Sequence, residues 1–179
     1  LDYGAKNILL VDSVAIIDKT RTDLNSTKQD MLGITNPDNI AGDLAKALES
    51  ADIFIGLSAG DIVNQDMVRS MASGSVVLAA ANPTPEIMPD LATAAGAAVV
   101  GTGRSDFPNQ INNSLVFPGV FRGALDARAT AINTKMKLAG AEALAALIPN
   151  PTPECIIPWS LDPVVVPAVA KAVSAASTS

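Results

Sequence analysis

Four short apolar runs, at residues 8–11, 51–57, 75–80 and 97–101, restrict what this chain can fold into more than any other feature. Runs of this length suit strands and are too short for helices with a buried face. They do not alternate with polar residues, which is the pattern of strands covered on both faces by helices. Helical segments are expected between them. Residues 43–50 carry Asp43 as a cap, with Leu44, Ala47 and Leu48 on one side; residues 64–73 turn Met67, Val68 and Met71 inward; residues 85–95 open with Pro85 and with Glu86 suited to the helix dipole. Strands that alternate with helices predict an α/β fold built on a parallel sheet.

The sheet expected is doubly wound, Rossmann-like and mostly parallel, with a helical C-terminal part. The run at 8–11 ends on Asp12 and reads as the second strand of a dinucleotide-binding unit, the first strand and its Gly-rich turn being absent from these residues. Residues 21–37 read as an exposed loop with one helical turn. Beyond residue 113 the pattern becomes helical. Phe117, Phe121 and Leu125 recur at helical spacing within 116–128. Asn133 or Thr134 caps a long helix through Met136, Leu144 and Leu147, stopped by Asn150-Pro151-Thr152-Pro153. Asp162-Pro163 opens the last helix, through Val164, Val169 and Val173. Residues 1–179 therefore form one domain, with 151–179 as a helical tail available to pack on a further domain or partner.

Composition narrows the function. Hydrophobic residues make up 49% of the chain and charged residues 17%. That is poor in charge for a free-standing domain, so part of the apolar surface is expected to be covered by another domain or a second copy, as in a homodimer. A net charge of −6 and 3% aromatics provide neither a basic patch nor a stacking platform, so no nucleic acid is expected as a partner. There is no histidine and only one cysteine, which excludes His-based triads, His metal sites and an internal disulfide within these residues. No apolar run approaches the roughly 20 residues of a membrane span, and no signal peptide is visible, so a cytoplasmic protein without a membrane partner is expected.

The chemistry is expected where the strands end, because ligands of open α/β sheets bind outside the carboxyl ends of the strands. After the run at 97–101 come Asn109, Gln110, Asn112 and Asn113, four uncharged amides in five residues. Amides donate and accept hydrogen bonds without adding charge, which suits an oxygen-rich small molecule. Asn82 follows the run at 75–80 in the same way. Ser58-Ala59-Gly60 follows the run at 51–57, and small residues there let the backbone approach a flat ligand. Asp12 stands where such units accept a bond from the adenosine ribose. The same residue types also serve as caps and turn formers, and both readings stay open at this point.

The chain resembles the nucleotide-binding half of malic enzymes of the short bacterial and archaeal type. The resemblance rests on Val11-Asp12-Ser13, Arg21-Thr22-Asp23-Leu24-Asn25, Ala51-Asp52-Ile53-Phe54-Ile55-Gly56-Leu57-Ser58-Ala59 and Ala81-Asn82-Pro83-Thr84-Pro85-Glu86-Ile87. Two longer motifs complete it: Thr102-Gly103-Arg104-Ser105-Asp106-Phe107-Pro108-Asn109-Gln110-Ile111-Asn112-Asn113, and Phe117-Pro118-Gly119-Val120-Phe121-Arg122-Gly123-Ala124-Leu125-Asp126. The family usually has Lys-Gly where Val14-Ala15 stand, and Pro-Gly where Gly60-Asp61 follow Ser58-Ala59.

The resemblance implies NAD(P)- and Mg²⁺- or Mn²⁺-dependent oxidation and decarboxylation of malate to pyruvate and carbon dioxide. It implies that Asn82, Asn112 and Asn113 bind substrate and that Asp12, Ser58, Ala59, Asn82 and Asn113 bind the dinucleotide. The proton-shuttling Tyr and Lys, the acidic metal ligands and the Gly-rich turn belong to an N-terminal catalytic half upstream, so these residues alone are expected not to catalyse. An Asp at the strand end repels a 2′-phosphate and favours NAD over NADP. Gln29 is neutral where NADP-type relatives place a lysine, although Lys28 and Arg21 share its loop. Two other readings remain: a different NAD-dependent dehydrogenase, such as one acting on amino acids, and a non-catalytic nucleotide-binding module.

Overall fold

A computed structural model describes residues 1–177. Three of the four apolar runs become strands: β1 (Ile53–Gly56), β2 (Val76–Ala79) and β3 (Val99–Thr102). They form one parallel sheet in the order β1-β2-β3, with Gly56 beside Ala79 and Ala79 beside Thr102 at their carboxyl ends. Parallel neighbours need a crossover, and short helices supply it. α3 (Gln65–Arg69) links β1 to β2, and α4 (Pro89–Ala94) links β2 to β3. α1 (Ser26–Leu32) and α2 (Leu44–Leu48) precede the sheet.

The fourth run does not join the sheet. Residues 8–10 are extended and Val11 makes a single antiparallel bridge to Ile16. The Ile17 N–H donates to the Leu10 carbonyl and the Asp12 N–H to the Ala15 carbonyl, so the chain folds back on itself in a tight turn. A parallel ladder needs a neighbouring strand on which to pair, and no described strand lies beside this segment.

Helix starts follow local chemistry closely. Asn25, Asp43, Asn64 and Asn133 each accept, through the side-chain oxygen, the N–H three residues on, so four of these amides and carboxylates serve as caps. α4 begins at Pro89, later than the proline and glutamate at 85 and 86 suggest, and has no side-chain cap. Glu86 is thus outside the helix.

Two cores result. Leu48, Val68, Val77, Ala79, Ile87 and Ala92 fill the space around the sheet. The second core joins α5 (Phe117–Asp126), α6 (Thr134–Ala145) and α7 (Val165–Ser177) through Leu115, Met136, Leu144, Val165, Val169 and Val173. α7 buries its valines against α5 and α6 of the same chain.

One apolar surface differs from the sequence expectation, and a second stays open. β2 is covered on both faces to a large extent, but Ile53, Ile55 and Leu57, which share one face of β1 by their period of two, stand 57%, 63% and 80% exposed. On α5 the bulky residues face outward: Phe117 and Phe121 touch edge to face at 5.9 Å, and with Leu125 they remain exposed. The face of α5 that packs on α7 is made of Gly119 and Gly123, because only a bare backbone lets the helices approach so closely. No helix among the described residues is long and apolar enough to cross a membrane.

Candidate active site

The loops that leave the three strands at their carboxyl ends carry five of the six residues singled out in the sequence. Ser58 and Ala59 follow β1, Asn82 follows β2, and Asn112 and Asn113 follow β3; all five are exposed. The register of the strands makes these loops immediate neighbours, since adjacent strands lie about 4.8 Å apart. The Asn82–Pro83 peptide is cis.

The loops after β1 and β2 nest tightly. A Cβ at Gly60 would lie 2.6 Å from the Thr84 Cβ and 2.8 Å from the Thr84 carbonyl oxygen, so position 60 admits only glycine. The next residue, Asp61, takes φ +58°, the left-handed conformation that glycine favours and Asp tolerates.

The amide cluster divides into two parts. Asn109 and Gln110 are structural. Asn109 is buried with φ +54°, donates to the carbonyls of Val100 (2.9 Å) and Pro153 (2.7 Å), and accepts the Ile156 N–H (2.9 Å). It ties the end of β3 to the 153–156 segment. Gln110 lies 3.0 Å from the Ser160 hydroxyl through its Oε1. Asn112 caps a short 3-10 turn (Asn113–Leu115) by accepting the Ser114 N–H at 2.9 Å. Its NH₂ group, and the side chains of Asn82 and Asn113, form no hydrogen bond among the described residues, and all three residues are exposed. Asn109→Ala is expected to cost about 2 kcal/mol, because it leaves three backbone groups without partners, some of which water can reach. Urea unfolding measures it, and Asn109→Gly, which relaxes the backbone but not the lost bonds, recovers less than half.

Asp12, the sixth residue, is not free. Its Oδ1 accepts from Arg21 (2.8 Å) and from the Val14 and Ala15 N–H groups; its Oδ2 accepts from Arg21 (3.1 Å) and Lys28 (2.5 Å). Arg21 and then Lys28 hold the Asp12 carboxyl far below the usual carboxylate range. Arg21 is raised in turn, first by Asp23 and then by Asp12. Asp12 therefore closes the turn at residues 12–15, and no hydrogen bond joins it to the three strand-end loops among the described residues. The sequence contained the signal, since Arg21 and Lys28 share the following loop, but not the geometry that puts both on one carboxylate.

Sequence reasoning missed Glu86. Assigned to a helix dipole, it is instead fully buried, and its two oxygens accept the Ser58 N–H (2.9 Å) and the Ala81 N–H (3.0 Å). Local sequence carries no sign of this, because the Ser58 donor lies 28 residues away on the loop after β1, while Ala81 shares the Glu86 loop.

The family model described as "Malic enzyme, NAD binding domain" matches residues 2–176. This chain belongs to the malic enzyme family. It is similar, at 48% identity over 178 residues, to the bifunctional malic/malolactic enzyme of Bacillus subtilis, covering 98% of this chain and 43% of that protein. The NAD-dependent malic enzyme of Geobacillus stearothermophilus is 49% identical over 148 residues, covering 83% of this chain and 31% of that protein. The solved NAD-dependent malic enzyme of Thermotoga maritima superposes with a TM-score of 0.92 at 44% identity, over 97% of this chain and 46% of that one. The malic enzyme of Pyrococcus horikoshii does so with a TM-score of 0.88 at 39% identity, over 96% and 41%. The malic enzyme NAD-binding domain thus accounts for nearly all of this chain, which spans less than half the length of these relatives.

The chain fits the dinucleotide on structural grounds too. The small, exposed Ser58 and Ala59 follow β1 at the carboxyl end of the parallel sheet, the end at which open α/β sheets take their ligands. No group of three or more His, Cys, Asp or Glu among the described residues could hold a metal ion.

Proposed function

We propose that the protein to which this domain belongs is a malic enzyme that converts malate to pyruvate and carbon dioxide with NAD, NADP remaining a possible substitute, and with Mg²⁺ or Mn²⁺ held by residues outside this chain. Residues 1–179 act as its dinucleotide-binding domain. The observation that carries this reading is the gathering of Ser58, Ala59, Asn82, Asn112 and Asn113 on neighbouring strand-end loops of a domain so similar to malic enzymes.

In this reading Ser58 and Ala59 lie along the cofactor, and Asn82 and Asn113 contact the cofactor and malate. The unpaired NH₂ of Asn112 donates to a malate oxygen while its carbonyl stays on Ser114. Malate is a dianion whose charge the metal and cations elsewhere offset, so neutral amides orient it without adding charge, and fixed orientation lowers the entropic part of the barrier. When bound, the dinucleotide supplies the hydride acceptor. The proton-transferring Tyr and Lys belong to the N-terminal half. Asp12 is proposed as the ribose contact; two cations offset its charge, so its repulsion of a 2′-phosphate is weak, and comparing kcat/KM for NAD and NADP decides between them. The uncovered apolar faces of β1 and α5 fit a homodimer or the N-terminal half as partner, and a cytoplasmic location is part of the same proposal.

The test is malate-dependent reduction of NAD, with Mg²⁺ or Mn²⁺, by the complete protein that carries the N-terminal half, wild type against Asn112→Ala. The variant is expected to lose about tenfold in kcat/KM for malate, the worth of one hydrogen bond to a charged group, with dinucleotide affinity nearly unchanged. An absence of malate-dependent reduction in the wild type would instead support the non-catalytic nucleotide-binding reading.

A further inference from the structure

Glu86 is a buried carboxylate without a cation. It is 0% exposed, and no ion pair to it occurs among the described residues. Burying such a group is unfavourable unless its oxygens are well bonded. Here each oxygen takes one backbone N–H, Ser58 on the loop after β1 and Ala81 at the end of β2. The main chain beside it is tied to the first loop again: the Glu86 carbonyl accepts the Val63 N–H at 2.9 Å, and the Pro85 carbonyl accepts the Asp61 N–H at 3.0 Å. Gly56 makes room for the carboxyl group, since a Cβ there would stand 2.5 Å from Oε1. A glutamine could accept at only one of its two end atoms, so a carboxylate alone satisfies both N–H groups at once.

We propose that Glu86 is a positioning residue for the dinucleotide: by holding the Ser58 and Ala81 N–H groups on one carboxylate, it sets how far the Ser58-Ala59 loop stands from Asn82, the residue after Ala81. This rests on the reading that those two loops receive the cofactor. Glu86 touches no ligand; it acts through Ser58 and Asn82. Replacement by Gln turns an NH₂ toward one of the two N–H donors, forces them apart and widens the crevice.

The experiment compares Glu86→Gln and Gly56→Ala with Val77→Ala in the complete protein that carries the N-terminal half. Val77 is fully buried in the same sheet and bonds to neither loop, so its truncation reports general loss of stability. All proteins are assayed well below their melting temperatures. Dinucleotide affinity is read by NADH fluorescence, and KM and kcat by malate-dependent reduction of NAD. Glu86→Gln is expected to raise Kd and KM for the dinucleotide about tenfold, with kcat within about threefold, one lost bond at a fixed site being worth about that factor. Gly56→Ala should move both in the same direction, while Val77→Ala should leave them unchanged. Partial unfolding alone lowers apparent kcat and leaves KM alone. An unchanged KM in Glu86→Gln, or an equal rise in Val77→Ala, overturns the positioning role while the cofactor reading stands. A wild type that binds neither NADH nor NADPH overturns both. Should Glu86→Gln not fold, amide exchange in the wild type decides: slow exchange of the Ser58 N–H, on an otherwise exposed residue, supports the proposal, and fast exchange overturns it.

Discussion

Replacing Gly123 by alanine lowers the melting temperature by on the order of 10 °C, the expected result of forcing a methyl group into the tightest helix crossing of the chain. The Cβ would stand 2.9 Å from the Val173 Cβ and closer still to the Ala170 carbonyl oxygen, which is backbone and cannot swing aside. α5 and α7 must then separate, exposing part of the face formed by Val169 and Val173. Overpacking of this kind costs typically 1–3 kcal/mol, and a clash with backbone places the cost at about 3 kcal/mol, even after the gain of about 1 kcal/mol from replacing a mid-helix glycine. Gly140 provides the contrast. It also faces α7, but its Cβ would meet only methyl groups, the Val173 Cγ2 at 3.2 Å and the Val120 Cγ2 and Val169 Cγ1 at 3.6 Å, side chains that can yield. Gly140→Ala should change stability by less than about 1 kcal/mol, the helix gain offsetting the crowding. Calorimetry on the three proteins checks the ordering, and equal melting temperatures for wild type and Gly123→Ala would contradict the packing argument.

Asp12→Ala should cost about 2 kcal/mol near pH 7, less than the loss of a fully buried partner, because Arg21, 8% exposed at its side chain, keeps Asp23 and the Ala15 and Ile16 carbonyls. The turn at 12–15 loses its two N–H acceptors at the same time. The sign of the pH dependence follows from the depressed carboxyl. A group whose folded pKa lies below its unfolded value stabilises the fold fully above the unfolded value of about 3.9 and loses that contribution as pH falls below it. The stability gap between wild type and Asp12→Ala should therefore be constant from about pH 6 to 8 and shrink steadily from about pH 4 downward. Urea midpoints across that range measure it. A gap that widened in acid would contradict the ion-pair geometry. The same variant tests the ribose role: unchanged NAD affinity would leave Asp12 as a turn-closing residue alone.

What was legible in the sequence was local. The apolar runs of β1, β2 and β3 declared themselves because their continuous apolar character needs no partner to be read, although one face of β1 stays uncovered. Asp43, Asn64 and Asn133 declared helix starts because a cap bonds within its own turn. The strand-end positions of Ser58, Ala59, Asn82, Asn112 and Asn113 followed from where the strands end. Membership in the malic enzyme family was legible in the long motifs at residues 102–113 and 117–126.

The tertiary structure decided whatever depended on a partner distant in the chain. Residues 8–11 have the apolar character of a strand but lack a neighbour to pair with. Asn109 and Asn112 have the same side chain, yet one is enclosed by Val100, Pro153 and Ile156 and the other keeps a free NH₂. The phenylalanines of α5 recur at helical spacing, but the helix packs on α7 through glycines because the distance leaves no room for anything larger. Glu86 read as a surface charge at a helix start until two loops placed a backbone N–H on each of its oxygens. In every case the side chain's chemistry was written locally, while its role was set by the groups that folding brought to it.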